Sequence, residues 1–397
     1  MIIEPVIKGS VARNCHPDGI RTAVQQQINY IKNVPPVKGP KKVLVIGASS
    51  GYGLASRIAL TFGCGADTIG IAFEKGPNEK GQGTAGWYNL IAFREAAEKE
   101  GLTARNFIGD AFSDEMRRQV TDYIISEFGG QIDLVVYSLA SGIRTAPDGV
   151  TYRSTLGVRD VPFSGEAFDL EHQTLTRQTL EPVSDQQLQD TVKVMGGEDW
   201  QLWIDWLSQA GVLANGFRTV AYSYIGPEST WPLYKDGALG AAKTHLHHTA
   251  DVLNDQLRGT GGQAHIAVCK AVVTKASAFI PVFPLYIALL YRVMKEKHLH
   301  ETCIEQMYRL LADRLYPTHG ETPVDDQRLI RLDDRELRPD VQAEVDALRR
   351  QVNADNFMTV SDFAGYLREF HALNGFGLPG VNYLADVDLK ALVTMKP

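Results

Sequence analysis

The sequence predicts an α/β protein built on a doubly wound parallel sheet with helices on both faces. Residues 43–46 form a continuous aliphatic run that ends at a glycine, as expected for a buried parallel strand. Helical patterns over residues 87–100 and 114–128 alternate with further short apolar runs. Strands that alternate with helices along the chain are typical of a Rossmann-type sheet, in which the strands run parallel.

Six strands are predicted along the chain. They cover residues 43–46, 67–73, 106–108, 132–137, 217–224 and 265–273. About 80 residues separate the fourth strand from the fifth, which is more than one crossover needs, so residues 144–215 are predicted to be an insertion. An amphipathic stretch over residues 183–210 lies within this insertion. Further helices are predicted over residues 285–297, 303–314, 340–352 and 360–372.

The charge balance excludes one class of partner. The 397 residues carry 40 Lys and Arg against 47 Asp and Glu, a formal net charge of −7. Non-specific binding to nucleic acid depends on neutralising phosphates, so this balance argues against such a partner. The cysteines lie far apart, without paired spacing for zinc or a disulfide framework, and are predicted to be reduced thiols. They are Cys15, Cys64, Cys269 and Cys303.

No targeting or membrane segment is predicted. Glu4, Lys8 and Arg13 interrupt the N-terminal stretch, where a secretory leader would be apolar. The longest apolar run, residues 279–291, has 13 residues and contains two prolines. It is shorter than the ~20 residues that span a bilayer. We therefore expect a cytoplasmic protein without a membrane anchor.

The turn after the first strand contains three glycines in the segment VLVIGASSGYG. Gly47, Gly51 and Gly53 lack Cβ atoms, so backbone N–H groups can approach a pyrophosphate at the N-terminus of the following helix. Three glycines alone are a weak signal, since a tight strand-to-helix turn without a ligand also uses them. The strand before them and the helix after them favour a dinucleotide site.

The end of the second strand indicates which dinucleotide is bound. Glu74 lies there, 21 residues beyond Gly53. A carboxylate at this position accepts hydrogen bonds from both ribose hydroxyls and repels a 2′-phosphate, which favours NADH over NADPH. Lys75 beside it would weaken that repulsion. The ends of the third and fourth strands are predicted to approach the adenine and the nicotinamide ribose, respectively, through Asp110 and Ala111 and through Ser138 and Leu139.

A tyrosine and a lysine follow the fifth strand, Tyr234 and Lys243, with eight residues between them. On one regular helix they would lie on opposite faces and ~13.5 Å apart, so Tyr234 is predicted to precede a helix that carries Lys243. Pro232 is expected to block an earlier helix, and Asp236 to cap the new one. A free tyrosine has a pKa near ~10 and needs a cation to favour its anion; Lys243 would supply that cation and contact the nicotinamide ribose. The alternative is a packed tyrosine and an exposed lysine.

Together, four segments resemble one family over essentially the whole chain. They are the GASSGYG turn, the Tyr–Lys pair with its eight-residue gap, VVTKASAFIPVFPLY and the ending NGFGLPGV. The sequence is similar to the FabV-type enoyl-acyl-carrier-protein reductases and the related trans-2-enoyl-CoA reductases, which are enlarged relatives of the short-chain dehydrogenases. Ordinary short-chain dehydrogenases place the Tyr and Lys four residues apart, so the wider spacing is the distinguishing feature.

The resemblance implies NADH-dependent reduction of the trans-2 double bond of enoyl thioesters, the last reductive step of fatty acid elongation, with acyl carrier protein or CoA as the carrier. It implies that Tyr234 donates a proton, that Lys243 contacts NADH and that Tyr224 contacts the substrate. The residues that would line the dinucleotide are Gly47, Ala48, Ser49, Ser50, Gly51, Tyr52, Phe73, Glu74, Asp110, Ala111, Ser138, Leu139, Lys243, Val272, Val273 and Thr274.

We predict one enlarged domain over residues 1–397. Its parts are an N-terminal extension (1–40), a dinucleotide-binding half (41–143), the insertion (144–215) and a catalytic and substrate-covering half (216–397). The apolar segment 277–291 is expected either to cover an acyl chain or to be a plain buried helix. The extra helices favour a monomer, because they could cover the surfaces that smaller relatives use for assembly.

Two other functions remain open from the residues alone. A Tyr–Lys pair also serves carbonyl-reducing short-chain dehydrogenases, and a glycine turn also fits a protein that senses a dinucleotide without turnover. The presence of both Tyr234 and Lys243 disfavours the sensor. His245, His248 and Asp251 have a helical spacing that could hold a metal, but nicotinamide reduction needs no Lewis acid, so no metal is predicted.

Overall fold

The computed structural model describes residues 1–78 and 81–397, in which seven parallel strands form the central sheet. The strands are β1 (Ile7–Lys8), β2 (Val11–Ala12), β3 (Lys42–Ile46), β4 (Asp67–Ala72), β5 (Ala104–Ile108), β6 (Ile132–Tyr137), β7 (Ile143–Thr145), β8 (Thr151–Arg153), β9 (Phe163–Asp169), β10 (Thr174–Leu180), β11 (Leu213–Ser223), β12 (Gln263–Val268) and β13 (Leu329–Arg331). The helices are α1 (Pro17–Lys32), α2 (Gly51–Cys64), α3 (Ala85–Glu98), α4 (Asp114–Ser126), α5 (Asp185–Met195), α6 (Glu198–Gln209), α7 (Trp231–Tyr234), α8 (Ala238–Leu257), α9 (Phe283–Glu296), α10 (Cys303–Arg309), α11 (Pro339–Gln351), α12 (Phe357–Val360), α13 (Phe363–Ala372) and α14 (Leu389–Thr394).

The strand order of the central sheet is β13-β12-β11-β6-β3-β4-β5. All neighbouring strands are parallel. The chain enters at β3, runs outward to β5 and returns to β6 on the other side of β3, so the order reverses between β3 and β6. Ligands of open α/β sheets bind at the carboxyl ends of the strands at such a switch point. The predicted fold class is confirmed, and the glycine turn after β3 lies at this switch point.

Apolar cores cover both faces of the sheet. Val43 and Val45 of β3 pack on one face with residues of α1, α2 and α10. Leu44 and Ile46 pack on the other face with residues of α4, α6 and α8. Successive side chains of a strand point to opposite faces, so a strand covered on both sides must be apolar at every position. This is the reason that the continuous run at residues 43–46 predicted the strand correctly.

A third core surrounds α9. Every residue from Phe283 to Met294 except Arg292 is buried, and α11 and α13 pack against this helix through residues such as Val341 and Tyr366. The buried helix predicted in this segment is therefore present. Among the described residues, no helix combines the length and the apolar character that a membrane span requires.

The insertion differs from its prediction. The amphipathic stretch 183–210 is two helices, α5 and α6, because Gly196 and Gly197 break it where it meets neighbouring backbone and side chains. A Cβ on Gly197 would lie 2.1 Å from the Thr249 hydroxyl of α8, and one on Gly196 would lie 2.5 Å from the Val192 carbonyl oxygen. The insertion also contains the antiparallel pairs β7–β8 and β9–β10, which the sequence analysis missed.

Other boundaries also differ from the predictions. The predicted helix 303–314 is α10 followed by a π-helix, Leu310–Leu315. The predicted helix 360–372 begins only at Phe363, because the Asp362 side chain caps it by accepting a hydrogen bond from the Gly365 amide. The strands β1, β2 and β13 were not predicted, since very short strands carry little periodicity. The sequence analysis also missed α1, although Ile20, Val24, Ile28 and Ile31 repeat at helical spacing and are buried.

The sixth predicted strand, 265–273, ends five residues early, at Val268. Its last ladder bonds run from the Leu332 amide to Val268 O and from the Cys269 amide to Ser223 O. Beyond them the Lys270 amide donates to the Gln306 side chain, Oε1, at 2.8 Å, so the chain leaves the sheet. Residues 269–274, called the β12 loop below, therefore lie at the carboxyl edge of the sheet.

Candidate active site

The turn between β3 and α2 forms a backbone cradle. Gly47 and Gly51 have φ values of +88° and +54°, a region that disfavours residues with a Cβ. A Cβ on Gly53 would lie 1.9 Å from Gly47 O, and one on Gly47 would lie 2.4 Å from Ser138 O. The Ser50 side chain makes no capping hydrogen bond, and the first turn of α2 has no acidic residue. This helix N-terminus therefore fits the pyrophosphate of a dinucleotide.

Glu74 follows β4, and two hydroxyl groups fix its carboxylate. Ser49 Oγ, from the glycine turn, donates to Oε1 at 2.6 Å, and Thr84 Oγ1 donates to Oε2. Gly86, in the first turn of α3, makes room for the carboxylate, since a Cβ there would lie 1.9 Å from Glu74 Oε1. The neighbouring Phe73 ring is 76% exposed. The Glu74 carboxylate thus lies directly beside the cradle, where it can accept hydrogen bonds from ribose hydroxyls. Each of its oxygens has a further lone pair for such a donor.

The ends of β5 and β6 lie at the same edge of the sheet. Asp110 is exposed there. Ala111 is buried, and its carbonyl accepts a hydrogen bond from the indole of Trp203 at 3.0 Å. Ser138 is half-buried, and its amide donates to Ile46 O at 2.8 Å, which ties β6 to the start of the glycine turn. The side chains of the predicted Asp110 and Ser138 are thus accessible, whereas the Ala111 carbonyl already accepts a hydrogen bond from Trp203. The predicted Leu139 is half-buried.

The β12 loop approaches the cradle at Thr274. A Cβ on Gly51 would lie 3.5 Å from Thr274 Cγ2. Tyr52 reaches the same loop from within the core, because its hydroxyl donates to Lys270 O at 2.6 Å and its ring packs near Tyr222. The Tyr52 side chain therefore holds the loop, and only its backbone is placed to line a dinucleotide. The structure brings the predicted Thr274 to the cradle, whereas the side chains of the predicted Val272 and Val273 are buried.

Tyr234 and Lys243 lie on successive helices. Tyr234 ends the single-turn helix α7, and Lys243 is in the second turn of α8, which confirms that the tyrosine precedes the lysine helix. The prediction that Pro232 blocks an earlier helix is wrong, because a proline in the first turn of α7 sacrifices no helical hydrogen bond. The predicted cap is also wrong: Gly237, not Asp236, is the N-cap of α8, and no side chain caps it.

The electrostatic surroundings of Tyr234 differ from the predicted ones. Burial raises the pKa of Tyr234 well above its usual range, and the Glu336 carboxylate raises it further. Lys243 Nζ donates to the Tyr222 carbonyl at 3.2 Å, and burial lowers the pKa of Lys243 to about 8. The expected lowering of the tyrosine pKa by Lys243 is therefore wrong for this structure. Tyr234 is a neutral phenol, which is the form that can donate a proton.

Tyr224, Tyr234 and Phe283 form an aromatic cluster in which Phe283 is buried and the two tyrosines are half-buried. The ring centroids of the two tyrosines are 4.6 Å apart, and those of Tyr224 and Tyr234 lie 5.2 and 4.9 Å from Phe283. Phe283 is the first residue of α9, and Val282 before it has φ = +67°, a strained value for a β-branched residue. The structure thus brings together the two predicted tyrosines and the apolar segment predicted to cover the substrate.

The sequence analysis missed Glu336 and Lys270. Glu336 is fully buried; its Oε1 accepts hydrogen bonds from Tyr224 and Tyr286 at 2.8 and 2.6 Å, and its Oε2 accepts one from the Ala271 amide at 2.7 Å. The segment RLDDRELRPD around it has the alternating charges of an exposed surface, so the pattern gave no signal. Lys270 did carry a signal, since it interrupts the apolar run IAVCKAVV, and such a buried charge requires partners.

The histidine group of α8 has protein partners. His245 Nδ1 accepts a hydrogen bond from the Gly197 amide at 3.0 Å. Asp251 pairs with Arg328 at 3.1 Å. Over residues 1–78 and 81–397, no group of three or more His, Cys, Asp or Glu side chains is arranged to hold a metal ion.

A phosphate cradle at the switch point, a carboxylate for ribose and a half-buried phenol at the same sheet edge define a dinucleotide-dependent oxidoreductase. Residues 81–316 match the family described as the trans-2-enoyl-CoA reductase catalytic region, and residues 2–79 match its NAD(P)H-binding domain. Residues 324–387 match a family described as an enoyl reductase FAD-binding domain. The chain belongs to the trans-2-enoyl-CoA reductase family.

Named relatives agree with this assignment. The chain is 56% identical to enoyl-acyl-carrier-protein reductase (NADH) 2 of Photobacterium profundum and 48% identical to its counterpart in Vibrio cholerae, over the full length of both proteins in each case. The crystal structure of Clostridium acetobutulicum trans-2-enoyl-CoA reductase in complex with NADH matches all of both chains, with a TM-score of 0.98 and 45% identity. The Treponema denticola enzyme in complex with NAD matches 98% of each chain, with a TM-score of 0.93 and 48% identity. The predicted family, the predicted enzyme class and the predicted cofactor NADH are confirmed.

A flavin does not fit residues 324–387, all of which the structure describes. Their strand, β13, runs into Asp333 and Asp334 and not into a glycine turn that opens a helix. Asp333 is fully buried and pairs with Arg331 at 2.6 Å. Asp334 pairs with Arg309 at 2.8 Å, so both side chains are engaged within the protein and no glycine cradle for the pyrophosphate of FAD lies at this strand end. No step of the reaction is therefore assigned to a flavin.

Proposed function

We propose that this chain reduces the trans-2 double bond of enoyl thioesters with NADH, with Tyr234 as proton donor, Tyr224 as substrate contact and Lys243 as cofactor contact. The observation that carries the residue roles is the pair of half-buried phenols whose rings lie 4.6 Å apart at the carboxyl edge of the sheet. Bound NADH supplies a hydride to the β-carbon of the substrate. Negative charge then develops on the thioester oxygen, to which the Tyr234 hydroxyl donates a hydrogen bond. Tyr224 lies beside Tyr234 as a substrate contact, and its own hydroxyl proton is donated to Glu336.

The high pKa of Tyr234 suits this role. A phenol held neutral by burial keeps its proton until the substrate oxygen becomes negative, and then donates it. Lys243 carries a positive charge below about pH 8 and can hydrogen-bond the hydroxyls of the nicotinamide ribose. The roles of the two residues are therefore separate: Tyr234 acts on the substrate and Lys243 on the cofactor.

The remaining cofactor contacts follow from the cradle. Backbone N–H groups of Gly47–Tyr52, at the start of α2, would bind the pyrophosphate, and Glu74 would accept hydrogen bonds from the adenosine ribose. The exposed ring of Phe73 supports stacking on the adenine. Asp110 supports a hydrogen bond to the same base, because its side chain is accessible at the edge of β5.

Replacing Glu74 by Ser should weaken the preference for NADH. The shorter side chain removes the charge that repels a 2′-phosphate, so kcat/KM for NADPH should rise about tenfold while kcat/KM for NADH falls. Steady-state rates with both cofactors measure the ratio. Glu98→Ser, in the last turn of α3, is the control and should leave the ratio unchanged. An unaltered ratio in E74S would show that Glu74 does not select the cofactor.

The segment before α9 is proposed to contact the acyl chain. Phe279 is 53% exposed, and Ile280 packs with Tyr234 against the same small apolar cluster. Phe279→Ala and Ile280→Ala should therefore reduce kcat/KM for a long enoyl thioester about five- to tenfold more than for crotonyl-CoA, since each buried methylene contributes about 0.8 kcal/mol. Ile125→Ala on the exposed face of α4 is the control. Equal losses with both substrates would indicate core packing alone.

Steady-state turnover tests the proposed reaction. NADH should be oxidised with crotonyl-CoA and with a longer enoyl thioester but not with acetoacetyl-CoA. Oxidation with acetoacetyl-CoA would favour a carbonyl-reducing dehydrogenase, and binding of NADH without turnover would favour a sensor. The same acyl chain presented on CoA and on acyl carrier protein identifies the carrier through the ratio of the two kcat/KM values.

We also propose a cytoplasmic monomer that folds as one domain over residues 1–397. In the central sheet β3–β6 lie within residues 41–143, whereas β12, β13 and most of β11 lie within residues 216–397, so neither half holds a complete sheet. All four cysteines are free, which supports a reducing compartment. Sedimentation equilibrium should give a mass near 43.8 kDa, and a multiple of it would contradict the monomer.

A further inference from the structure

The β12 loop is fixed by hydrogen bonds to side chains of other elements and not by the ladder of a β-sheet. The Lys270 amide donates to Gln306 Oε1 at 2.8 Å, and Lys270 O accepts from the Tyr52 hydroxyl at 2.6 Å. Farther along, the Val273 amide donates to the Tyr291 hydroxyl at 3.0 Å. Buried backbone groups need such partners, so the course of the loop is decided by side chains from other elements.

Two buried charged groups hold the peptide groups of Ala271 in this loop. The Ala271 amide donates to Glu336 Oε2 at 2.7 Å, and its carbonyl accepts from Lys270 Nζ at 2.8 Å. Glu336 is fully buried, and Lys270 is 1% exposed. Burial raises the pKa of Glu336 and lowers that of Lys270. Whether charged or neutral, buried polar groups are costly without hydrogen-bond partners, so these bonds resist exchange with water. Ala271 lies three residues before Thr274, which lies beside Gly51 of the cradle.

The other carboxylate oxygen of Glu336 contacts Tyr224, the tyrosine proposed to contact the substrate. Tyr224 donates to Glu336 Oε1 at 2.8 Å, and Tyr286 of α9 donates to the same atom at 2.6 Å. Gln342 of α11 in turn donates to the Tyr286 hydroxyl at 3.2 Å. One carboxylate therefore touches the β12 loop, the tyrosine proposed to contact the thioester and the helix that lies over both.

We propose that Glu336 is a positioning residue that sets the distance between the Tyr224 hydroxyl and the β12 loop, and through them the distance between substrate and nicotinamide. The proposal rests on the roles given above to Tyr224 and to residues 272–274. Residues 324–387, which contain Glu336, would then contribute to the reaction by setting the spacing between the bound substrate and the bound NADH. An error of about 1 Å in such a spacing can lower a rate on the order of 10²-fold.

Three substitutions separate the hydrogen bonds of Glu336 from its bulk. Glu336→Leu keeps a similar volume but removes every acceptor. Glu336→Asp keeps the charge but is one methylene shorter, so its carboxylate cannot reach Ala271 and Tyr224 together. Glu336→Gln keeps an acceptor for the Ala271 amide, and its amide N–H groups can donate to the two phenol oxygens, so it preserves the spacing.

Kinetics with crotonyl-CoA and fluorescence titration of NADH give the two readouts. Glu336→Leu should lower kcat about 10²-fold and raise the Kd for NADH several-fold. Glu336→Asp should lower kcat about tenfold, and Glu336→Gln should stay within about threefold of wild type, as rescue by the conservative variant. Equal losses in the Gln and Leu variants would overturn the proposal. If Glu336→Leu fails to fold in a thermal unfolding scan, Glu336→Asp carries the same tests.

A double-mutant cycle tests whether Glu336 acts through Tyr224. In a Tyr224→Phe background the loss of kcat caused by Glu336→Leu should shrink to less than about threefold, while the weaker NADH binding persists. Tyr286→Phe is the matched background, since Tyr286 shares Oε1 but has no proposed substrate contact; there the loss should remain near 10²-fold. Additive losses with Tyr224→Phe would overturn the inference about Glu336. A Tyr224→Phe enzyme with wild-type kinetics would instead refute the proposed role of Tyr224, and with it the inference.

Discussion

Tyr234→Phe is expected to lower kcat by at least about 10²-fold and to leave the Kd for NADH within about twofold of wild type. The substitution removes one hydroxyl from the aromatic cluster but keeps the ring contacts with Tyr224 and Phe283. The substrate oxygen would then lose its proton donor at the moment when negative charge develops, whereas the glycine cradle and Glu74 remain intact. Single-turnover oxidation of NADH measures the chemical step, and fluorescence titration measures cofactor binding.

The control for this prediction is Tyr366→Phe. Tyr366 is fully buried in the core around α9, and within the described residues its hydroxyl has no hydrogen-bond partner. Its loss should therefore leave both kcat and NADH binding unchanged. A Tyr234→Phe enzyme as active as Tyr366→Phe would show that Tyr234 is a packing residue and that the proton comes from elsewhere.

Lys243→Met is expected to lower kcat/KM for NADH about 10- to 100-fold, because it removes a charged hydrogen bond to the cofactor. Burial lowers the pKa of Lys243 to about 8, so wild-type NADH binding should weaken as the pH rises through about 8. Lys243→Arg keeps its charge and should bind NADH with less dependence on pH in this range. Lys99→Met, an exposed lysine at the end of α3, should behave as wild type. A wild-type Kd that is constant from pH 7 to pH 9 would contradict the assignment.

Lys243 should lower the stability of the fold at neutral pH, although its charge strengthens NADH binding there. Its folded-state pKa lies below the ordinary value of 10.5, so between about pH 8 and pH 10.5 the unfolded chain binds more protons than the folded one. The contribution of Lys243 to stability is therefore most unfavourable below about pH 8 and becomes less so as the pH rises to 10.5. Lys243→Met should raise the Tm at pH 7, and the gain should shrink towards pH 10. A lower Tm at pH 7 would show that the ammonium is stabilised by its surroundings.

Local patterns were sufficient for the scaffold of the site. The strand at residues 43–46 and the glycine turn after it could be predicted, because a doubly covered strand and a tight turn each constrain adjacent residues. The position of Glu74 at the end of the next strand followed from the same βαβ unit. The separation of Tyr234 and Lys243 onto two elements also followed, since the pitch of one helix cannot bring them together.

The sequence by itself determined the fold class, the family and the cofactor, and it predicted Tyr224 and Tyr234 as site residues, because each of these signals lies in residues close together in the chain. Only the tertiary structure decided which groups surround those residues. Glu336 lies 112 residues from Tyr224, yet its carboxylate accepts a hydrogen bond from the Tyr224 hydroxyl. The alternating charges around Glu336 are typical of an exposed surface and gave no sign that it is buried. The β12 loop likewise takes its course from Tyr52, Gln306 and Glu336, which come from three separate parts of the chain. Burial and hydrogen-bond partners across such separations arise from packing, and no local periodicity records them.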